Sequence, residues 1–351
     1  MPREKRTILG LYVPTGMIGR KKYIHMIKRL RIFAVIGLAA SLGVFLLVAL
    51  FGGFSNVVHT IESANMFYYF LAFVCVFLGY LARYGKWGYY MHMLGIKVKQ
   101  TKSFLIYMSV YSMDITPGRI GRIIAAYTLK KITKIKFMSI VPIVTMDLFT
   151  DFFGFAILAF FTAILVGKYL IYVLAFDIIL VIPFIIIINP WVFNYIKSLK
   201  KKGYLLKKLE KHGSNYYMSQ NKLNKPAIYI GSLAFTVPAD ILNSLGLYFS
   251  LLAVGVKPKV IISLFIFATS QIFGMVSSVP GGIGVADATL IAFLKTMLGL
   301  SSTVSSAVTI MTRVATLWFG VVLGFAALAY TLNYWYSKHS KRKIRKRQNK
   351  N

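Results

Sequence analysis

Residues 277–287, SSVPGGIGVAD, interrupt an apolar segment with a glycine-rich break that ends in an acid. Residues 115–122, ITPGRIGR, contain the same Pro-Gly-x-Ile-Gly core much earlier in the chain. The similarity extends outward on both sides. GIKVK at 95–99 precedes the first break as GVKPK at 255–259 precedes the second, and DLFTDFFG at 147–154 corresponds to RVATLWFG at 313–320. We interpret the chain as two copies of one unit.

The composition is that of a polytopic membrane protein. Hydrophobic residues make up 57% of the 351 positions, and several apolar runs approach the roughly 20 residues that cross a bilayer. The sequence therefore predicts an all-α fold with six transmembrane helices and two re-entrant helical hairpins. The predicted spans are 33–54, 65–82, 137–166, 171–193, 227–253 and 304–333, and the predicted hairpins are 103–129 and 260–299.

The two Pro-Gly breaks are the reason for predicting hairpins. Proline removes a backbone donor and glycine relaxes the backbone, so a continuous helix is disfavoured at both sites. Backbone freed at membrane depth has to be buried in protein or line a wet cavity. We expect the first hairpin to enter from the cytoplasm and the second from outside. Repeat one (65–166) and repeat two (227–333) would then be inverted, as in many transporters.

The positive charge is concentrated in a few segments. Of the 42 Lys and Arg residues, 35 lie in 1–32, 83–102, 129–136, 194–225 and 334–351, which this topology places on one face. The positive-inside rule makes that face cytoplasmic. Segment 83–102 is predicted to lie at the membrane interface, because its basic residues are mixed with aromatic rings, and residues 55–64 are predicted to form a short outer loop. We expect a multi-pass protein of the cell membrane with both termini cytoplasmic: a basic arm (1–32), one membrane domain (33–335) with a cytoplasmic loop (194–225), and a basic tail (336–351). The net charge of +33 is thus attributed to membrane topology, and no nucleic acid partner is predicted.

Acids are scarce and concentrated in the apolar segments. Six of the nine lie there: Asp114, Asp147, Asp151, Asp177, Asp240 and Asp287. A charge at the bilayer centre costs roughly 2.5–3.5 kcal/mol, so it normally faces a partner or a substrate path. Asp147 and Asp151 share one helix face. Because Arg313 occupies the position equivalent to Asp147, we predict that these two form a buried ion pair across the central axis, either functional or purely structural.

The breaks also predict an anion site. A turn that opens a half-helix directs free N–H groups and the positive dipole end towards mid-membrane, where Arg119 and Arg122 would add attraction for a phosphate. Asp287 is expected either to cap its helix or to act as a functional acid. Asp114 is expected to satisfy amides freed by the break. Asp240 either joins the central cluster or stays outside it.

No enzymatic motif accompanies these features. The five histidines are scattered through predicted tails and loops, which argues against a metal site. The sequence contains no P-loop, dinucleotide fingerprint or nucleophile elbow. We therefore predict neither a cofactor nor a catalytic residue.

At these motifs the chain resembles the flippase-like family that includes the transmembrane region of lysylphosphatidylglycerol synthases. The resemblance covers about 30–335 and is carried by TPGRIGR (116–122), MDLFTD (146–151), VPGGIGVAD (279–287) and TRVATLWFG (312–320). The chain departs from the family at three positions: the family often has glutamate where Arg122 stands, and glutamate in place of Asp147 and Asp287. The 351 residues contain no soluble aminoacyl-transferase domain, so no lysyl-lipid synthesis is expected.

The resemblance implies a lipid flippase that moves a phospholipid, an aminoacylated lipid or a polyprenyl-phosphate-type lipid between leaflets. Two alternatives remain, an accessory subunit that anchors a cytoplasmic enzyme at loop 194–225 and an integral membrane headgroup transferase. The expected partners are membrane lipids, and the sequence is compatible with a homo-oligomer. The resemblance marks most of the candidate transport residues, and the pattern of intramembrane charge adds Arg122 and Asp240. The candidates are Arg119, Arg122, Asp147, Asp151, Asp240, Pro280, Gly281, Gly282, Gly284, Asp287 and Arg313.

Overall fold

The computed structural model describes residues 7–8, 11–12, 39–116, 122–133, 135–167, 216 and 218–331. Two two-residue strands, β1 (Thr7–Ile8) and β2 (Leu11–Tyr12), pair antiparallel. Every other regular element in these ranges is helical. Outside the described residues lie the predicted span 171–193, most of loop 194–225, most of the basic arm 1–32, the basic tail 336–351, Arg119 and Asp177.

The helices are numbered in chain order. They are α1 (Ala39–Phe51), α2 (Phe54–Glu62), α3 (Met66–Met93), α4 (Gln100–Val110), α5 (Ile124–Thr133), α6 (Phe137–Val166), α7 (Pro226–Ala253), α8 (Val260–Val276), α9 (Val285–Leu298) and α10 (Ser302–Thr331). One short 3₁₀ turn, Tyr111–Met113, precedes the first break, and another, Pro280–Gly282, lies within the second. Within α10, Val314–Trp318 form a π-helical turn directly after Arg313.

The prediction of an all-α polytopic membrane protein is confirmed. Within the described residues five helices are long and apolar enough to cross a membrane, or six if the bent pair α1–α2 counts as one span. The bend between α1 and α2 is 99°. Helices α6, α7 and α10 agree closely with the predicted spans, because uninterrupted apolar sequence over about 28–30 residues leaves few other structures at membrane depth.

Two sequence predictions were wrong at the start of repeat one. Residues expected to form an outer loop (55–64) belong mainly to helix α2. The second predicted span stopped at residue 82, with 83–102 placed at the membrane interface, whereas α3 continues to Met93. It continues because Arg83 and Lys86 find carboxylate partners inside the protein, while Trp87 and Tyr90 are buried beside them. Two of the basic residues assigned to the cytoplasmic face are therefore in the interior.

Both predicted breaks interrupt the helices. The first separates α4 from α5, and the second separates α8 from α9. In the second, Gly281, Gly282 and Gly284 have φ of 62°, 65° and 88°, a region that favours glycine. The returning chain packs closely on α8, since a Cβ on Gly282 would lie 3.0 Å from Gly274 Cα. The glycines of VPGGIGVAD thus allow the chain to reverse direction against its own helix.

Helices α3 and α7 occupy equivalent places in the two repeats and pack against each other in opposite directions. The backbone N–H of Asn65 donates to the carbonyl of Ala253 at one end, and at the centre a Cβ on Gly79 would lie 3.1 Å from the carbonyl of Ala239. By the register of the repeats, Gly79 and Ala239 are equivalent residues. Antiparallel packing of equivalent helices is what inverted repeats require. The opposite membrane orientation of the two hairpins stays a prediction.

Two apolar cores share α6. One packs α3, α4, α5 and the first half of α6, with Trp87, Ile106 and Ile140 fully or almost fully buried. The other packs the second half of α6 with α7, α8 and α9 around Phe267 and Leu290. The helix that carries Asp147 and Asp151 is therefore fixed on both sides of its acids, which restricts where those carboxylates can lie.

The approach of α10 to the first break gives a test of this packing. A Cβ on Gly324 would lie 2.2 Å from the backbone nitrogen of Ser112, and neither backbone can move cheaply. We expect Gly324→Ala to destabilise the protein by about 1–3 kcal/mol, the usual cost of overpacking. Thermal unfolding of purified protein in detergent measures this effect.

Gly88 provides the matched control, because it is exposed in helix α3 and an added Cβ would meet nothing within 4 Å. Gly88→Ala should therefore be neutral or stabilising by up to about 1 kcal/mol, the helix preference of alanine over glycine. Equal melting temperatures for the two variants would contradict the close approach of α10 to the break.

Candidate functional site

Helix α3 contributes two buried cations. Arg83 and Lys86 are three residues apart, so they lie on the same face of the helix. Arg83 is 7% exposed and Lys86 is fully buried. Desolvating two cations is costly unless each is paired, so their positions require nearby carboxylates.

The first break contributes an arginine and an acid that bind each other. Arg122 Nε lies 2.7 Å from Asp114 Oδ1 and its Nη2 lies 3.0 Å from Asp114 Oδ2. This two-point geometry matches the planar guanidinium to the carboxylate. Because Asp114 precedes the break and Arg122 follows it, their pairing joins its two ends. Asp114 therefore binds a cation. Residues 117–121, whose amides it was expected to satisfy, lie outside the described residues.

Helix α6 presents Asp147 and Asp151 one turn apart, as predicted. The ammonium of Lys86 lies 2.9 Å from Asp147 Oδ1 and 2.6 Å from Asp151 Oδ1. Arg122 Nη1 lies 3.1 Å from Oδ2 of each acid. The two carboxylates are thus held between a cation from α3 and a cation from the first break. The side chains of Thr150 and Tyr90 extend this network beside Lys86.

The network reaches repeat two through Asp240 of α7. The guanidinium of Arg83 donates to Asp240 Oδ1 and also lies 3.5 Å from Asp151. Asp240 is completely buried. The alternative in which Asp240 joins the central cluster is therefore the one that the structure shows. We call the seven linked groups the central cluster: Arg83, Lys86, Asp114, Arg122, Asp147, Asp151 and Asp240.

The second break has its own ion pair. Arg313 Nε lies 2.7 Å from Asp287 Oδ1, and Arg313 Nη2 donates to the carbonyl of Gly281 at 2.9 Å. The backbone N–H of Gly284 donates to Asp287 Oδ2 at 2.7 Å. Asp287 therefore caps its helix, which is one of the two expected roles, and it also pairs with a cation. Its role as a functional acid stays a prediction.

The predicted ion pair between Asp147 and Arg313 does not form. Asp147 pairs with Lys86 and Arg122, and Arg313 pairs with Asp287. In each repeat the break contributes a counter-charge for the long helix, with the signs reversed between the two, and in repeat one Lys86 of α3 adds a second cation. Since each charge finds its partner locally, no electrostatic demand remains for a pair across the axis.

A small cavity lies between the two sets of charges. Its volume is about 40 Å³, room for about three water molecules at roughly 10–15 Å³ each. Both repeats line it, with Arg83, Asp114 and Arg122 on one side and Gln271 and Arg313 on the other. Among the described lining residues, three guanidinium groups thus border it against a single carboxylate. The amide nitrogen of Gln271 is buried and has no hydrogen-bond partner among the described residues.

The structure brings most of the predicted site residues to this region. Arg122, Asp147, Asp151 and Asp240 belong to the central cluster, and Asp287 and Arg313 form the second pair. The backbone turn of the second break comprises the remaining described candidates, Pro280, Gly281, Gly282 and Gly284. Within the described part of the chain, no group of three or more His, Cys, Asp or Glu side chains could hold a metal ion.

Three central residues were missed from the sequence: Arg83 and Lys86, taken as interfacial, and Asp114, taken as a cap. Two patterns point to them in retrospect. The i,i+3 spacing of Arg83 and Lys86 places both on one helix face. The apolar segments contain six acids but only three cations outside the presumed interface, so further cations had to be inside.

Comparison with known proteins identifies relatives over most of the chain. A family model described as the lysylphosphatidylglycerol synthase TM region matches residues 34–324. The chain is also 23% identical over 326 residues to a UPF0104 membrane protein of Methanothermobacter thermautotrophicus, covering 85% of this chain and 94% of the relative. The family match includes both breaks, the central cluster and the pair formed by Asp287 and Arg313.

Proposed function

Because the chain belongs to the lysylphosphatidylglycerol synthase transmembrane-region family, we propose that it moves a lipid with a phosphate-bearing headgroup between the two leaflets. The substrate class is a phospholipid or a polyprenyl-phosphate-type lipid. The headgroup would cross through the cavity between the repeats while the acyl or isoprenoid chains stay in the bilayer. The proposed activity is transport and requires no catalytic residue.

The observation that carries this proposal is the lining of the cavity. Arg83, Arg122 and Arg313 border it from both repeats, and Asp114 is the one carboxylate among the described lining residues. Guanidinium groups bind phosphate through paired, charge-assisted hydrogen bonds. Guanidinium groups that face the cavity from both repeats therefore support a path for an anionic headgroup.

The size of the cavity indicates how such transport would proceed. A volume of about 40 Å³ is well below the roughly 300–1,000 Å³ of pockets that enclose an organic ligand. We infer that this is a closed arrangement and that a headgroup enters only when the repeats separate on one side. Alternating opening around a central site is the mechanism of transporters built from paired repeats.

Transport in proteoliposomes tests the proposal. Fluorescent phosphatidylglycerol, phosphatidylcholine and a polyprenyl phosphate would be supplied in one leaflet, and their appearance in the other leaflet would be followed by chemical quenching. We expect at least one phosphate-bearing lipid to move between leaflets faster in liposomes that contain the protein than in protein-free liposomes. Rates equal to those of protein-free liposomes for all three lipids would reject the proposal.

Gln271 offers a variant that removes a headgroup donor without breaking an ion pair. A hydrogen bond to a charged group contributes about 1.5–3 kcal/mol, so Gln271→Met should slow transport roughly 10-fold or more while leaving the melting temperature nearly unchanged. The matched control is Gln220→Met, since Gln220 is also largely buried but does not line the cavity. A control that loses as much activity as Gln271→Met would contradict the role of the cavity.

A further inference from the structure

The central cluster contains more acids than bases. Its four carboxylates, Asp114, Asp147, Asp151 and Asp240, face three cations, Arg83, Lys86 and Arg122. The second pair, Asp287 with Arg313, is balanced by itself. If all seven groups of the cluster were charged, one uncompensated negative charge would be buried. A buried charge of this kind costs several kcal/mol, and proteins normally avoid it by binding a proton.

The contacts identify the acid on which that proton belongs. Both carboxylate oxygens of Asp114, Asp147 and Asp151 lie within ion-pair distance of a cation. Asp240 differs, because only its Oδ1 is bound, by Arg83. Its Oδ2 is buried and has no hydrogen-bond or ion-pair partner among the described residues. Among the four acids, Asp240 is the one whose charge is least stabilised.

Within the part of the chain that the structure describes, the helices packed against Asp240 supply no further cation. Arg83 and Lys86 approach from α3, and Asp147 and Asp151 lie on the side of α6. A Cβ on Gly154 of α6 would lie 2.1 Å from Asp240 Oδ2, so this oxygen rests against helical backbone whose N–H groups are already used. Helix α8 has no ionisable residue. Arg313 of α10 is bound to Asp287.

We propose that Asp240 is a proton-binding site and that it carries a proton on Oδ2 in this closed arrangement. The proton adds to the carboxylate to form an O–H bond, which makes the central cluster neutral. Water supplies it through the cavity, which is lined by Arg83, the partner of Asp240, and by Asn243, one turn further along α7.

One consequence for transport rests on the proposed function. When an anionic headgroup binds Arg83, the guanidinium stabilises the negative charge of Asp240 less. The protonated form of Asp240 is then favoured further. Headgroup and proton would then promote each other's binding, and this coupling is reciprocal. A proton gradient across the membrane could thereby drive the movement of the lipid.

Infrared spectroscopy of the purified full-length protein tests the site without any lipid substrate. We expect wild-type protein at neutral pH to show the C=O stretch of a protonated carboxylic acid, and we expect Asp240→Asn to lack it. Glu62→Gln is the control, because Glu62 is exposed at the end of α2 and should leave the band in place. Absence of the band from wild-type protein, or its persistence in Asp240→Asn, would overturn the proposal.

Thermal unfolding at several pH values gives a second readout. Asp240 holds its proton in the folded protein, and an exposed carboxyl in the unfolded chain does not at neutral pH. In the pH range where the folded state holds this proton and the unfolded chain has lost it, stability falls as the pH rises, and the fall ends once folded Asp240 has also lost the proton. We expect this fall in wild-type protein and in Glu62→Gln, and a smaller fall in Asp240→Asn. An equal fall in all three would contradict a proton at Asp240.

The lipid experiment separates this inference from the proposed function. Phosphatidylglycerol flux in proteoliposomes should respond to an imposed pH gradient in wild-type protein and be insensitive to it in Asp240→Asn. Absence of flux under all conditions would reject the proposed transport, while the infrared band would still decide the proton site. Flux that ignores the gradient in wild-type protein would reject the coupling.

Discussion

Replacing Arg122 with glutamine is expected to lower the unfolding free energy by about 3–5 kcal/mol, the cost of breaking a buried ion pair on one side. Arg122 contacts three carboxylates, Asp114, Asp147 and Asp151, and is 3% exposed. Without it, four acids remain in the central cluster with only two cations. Transport should be lost as well, because Arg122 lines the cavity.

Two further variants distinguish charge from geometry. Arg122→Lys keeps the charge but cannot bind Asp114 through two nitrogens while also reaching Asp147 and Asp151, so we expect it to recover only part of the stability. Arg122→Gln combined with Asp114→Asn removes one charge of each sign. We expect this double variant to be more stable than Arg122→Gln alone, by about 0.5–3 kcal/mol, the usual coupling between contacting residues.

Thermal unfolding in detergent and the fraction of monodisperse protein after purification measure these effects. Lys259→Gln is the control, because Lys259 is exposed just before helix α8 and its removal should change stability little. If Arg122→Gln unfolds at the same temperature as Lys259→Gln, the central cluster does not stabilise the fold in the way its contacts indicate.

Much of the architecture could be predicted from the sequence, because the constraints that decide it are local. Helix α6 begins and ends at the predicted residues and α7 within one residue of them, since long apolar runs have few other options in lipid. Both Pro-Gly breaks interrupt the helices, because the residues themselves remove donors or favour positive φ. The chain has few acids and most of them lie in apolar segments, which also identified Asp147, Asp151, Asp240 and Asp287 as interior groups.

The pairing of those groups could not be predicted in the same way. Equivalent positions in two repeats suggested that Asp147 meets Arg313, but equivalence says nothing about distance. Each break instead contributes the counter-charge for its own long helix, Arg122 for Asp147 and Asp287 for Arg313. Arg83 and Lys86 were misplaced because basic residues mixed with aromatic rings are also typical of a membrane interface. Only their burial in three dimensions separates the two interpretations.

The second large effect is expected when either member of the pair formed by Asp287 and Arg313 is replaced. Each side chain is almost completely buried, and each is the other's charged partner in the described structure. Asp287→Asn or Arg313→Gln alone should therefore cost about 3–5 kcal/mol of unfolding free energy. The double variant removes both charges, and asparagine can still accept the N–H of Gly284. We expect the double variant to be more stable than either single variant.

Transport by the same three variants separates a structural from a functional role of the pair. Arg313 lines the cavity, where it would meet the phosphate of the headgroup, whereas Asp287 is not among the described lining residues. If the arginine binds substrate, the double variant regains folding but not transport, measured per folded molecule in proteoliposomes. If the pair only holds the second break against α10, transport returns together with stability. Because the guanidinium of Arg313 lines the cavity in addition to bridging Asp287 and the carbonyl of Gly281, we expect the first outcome.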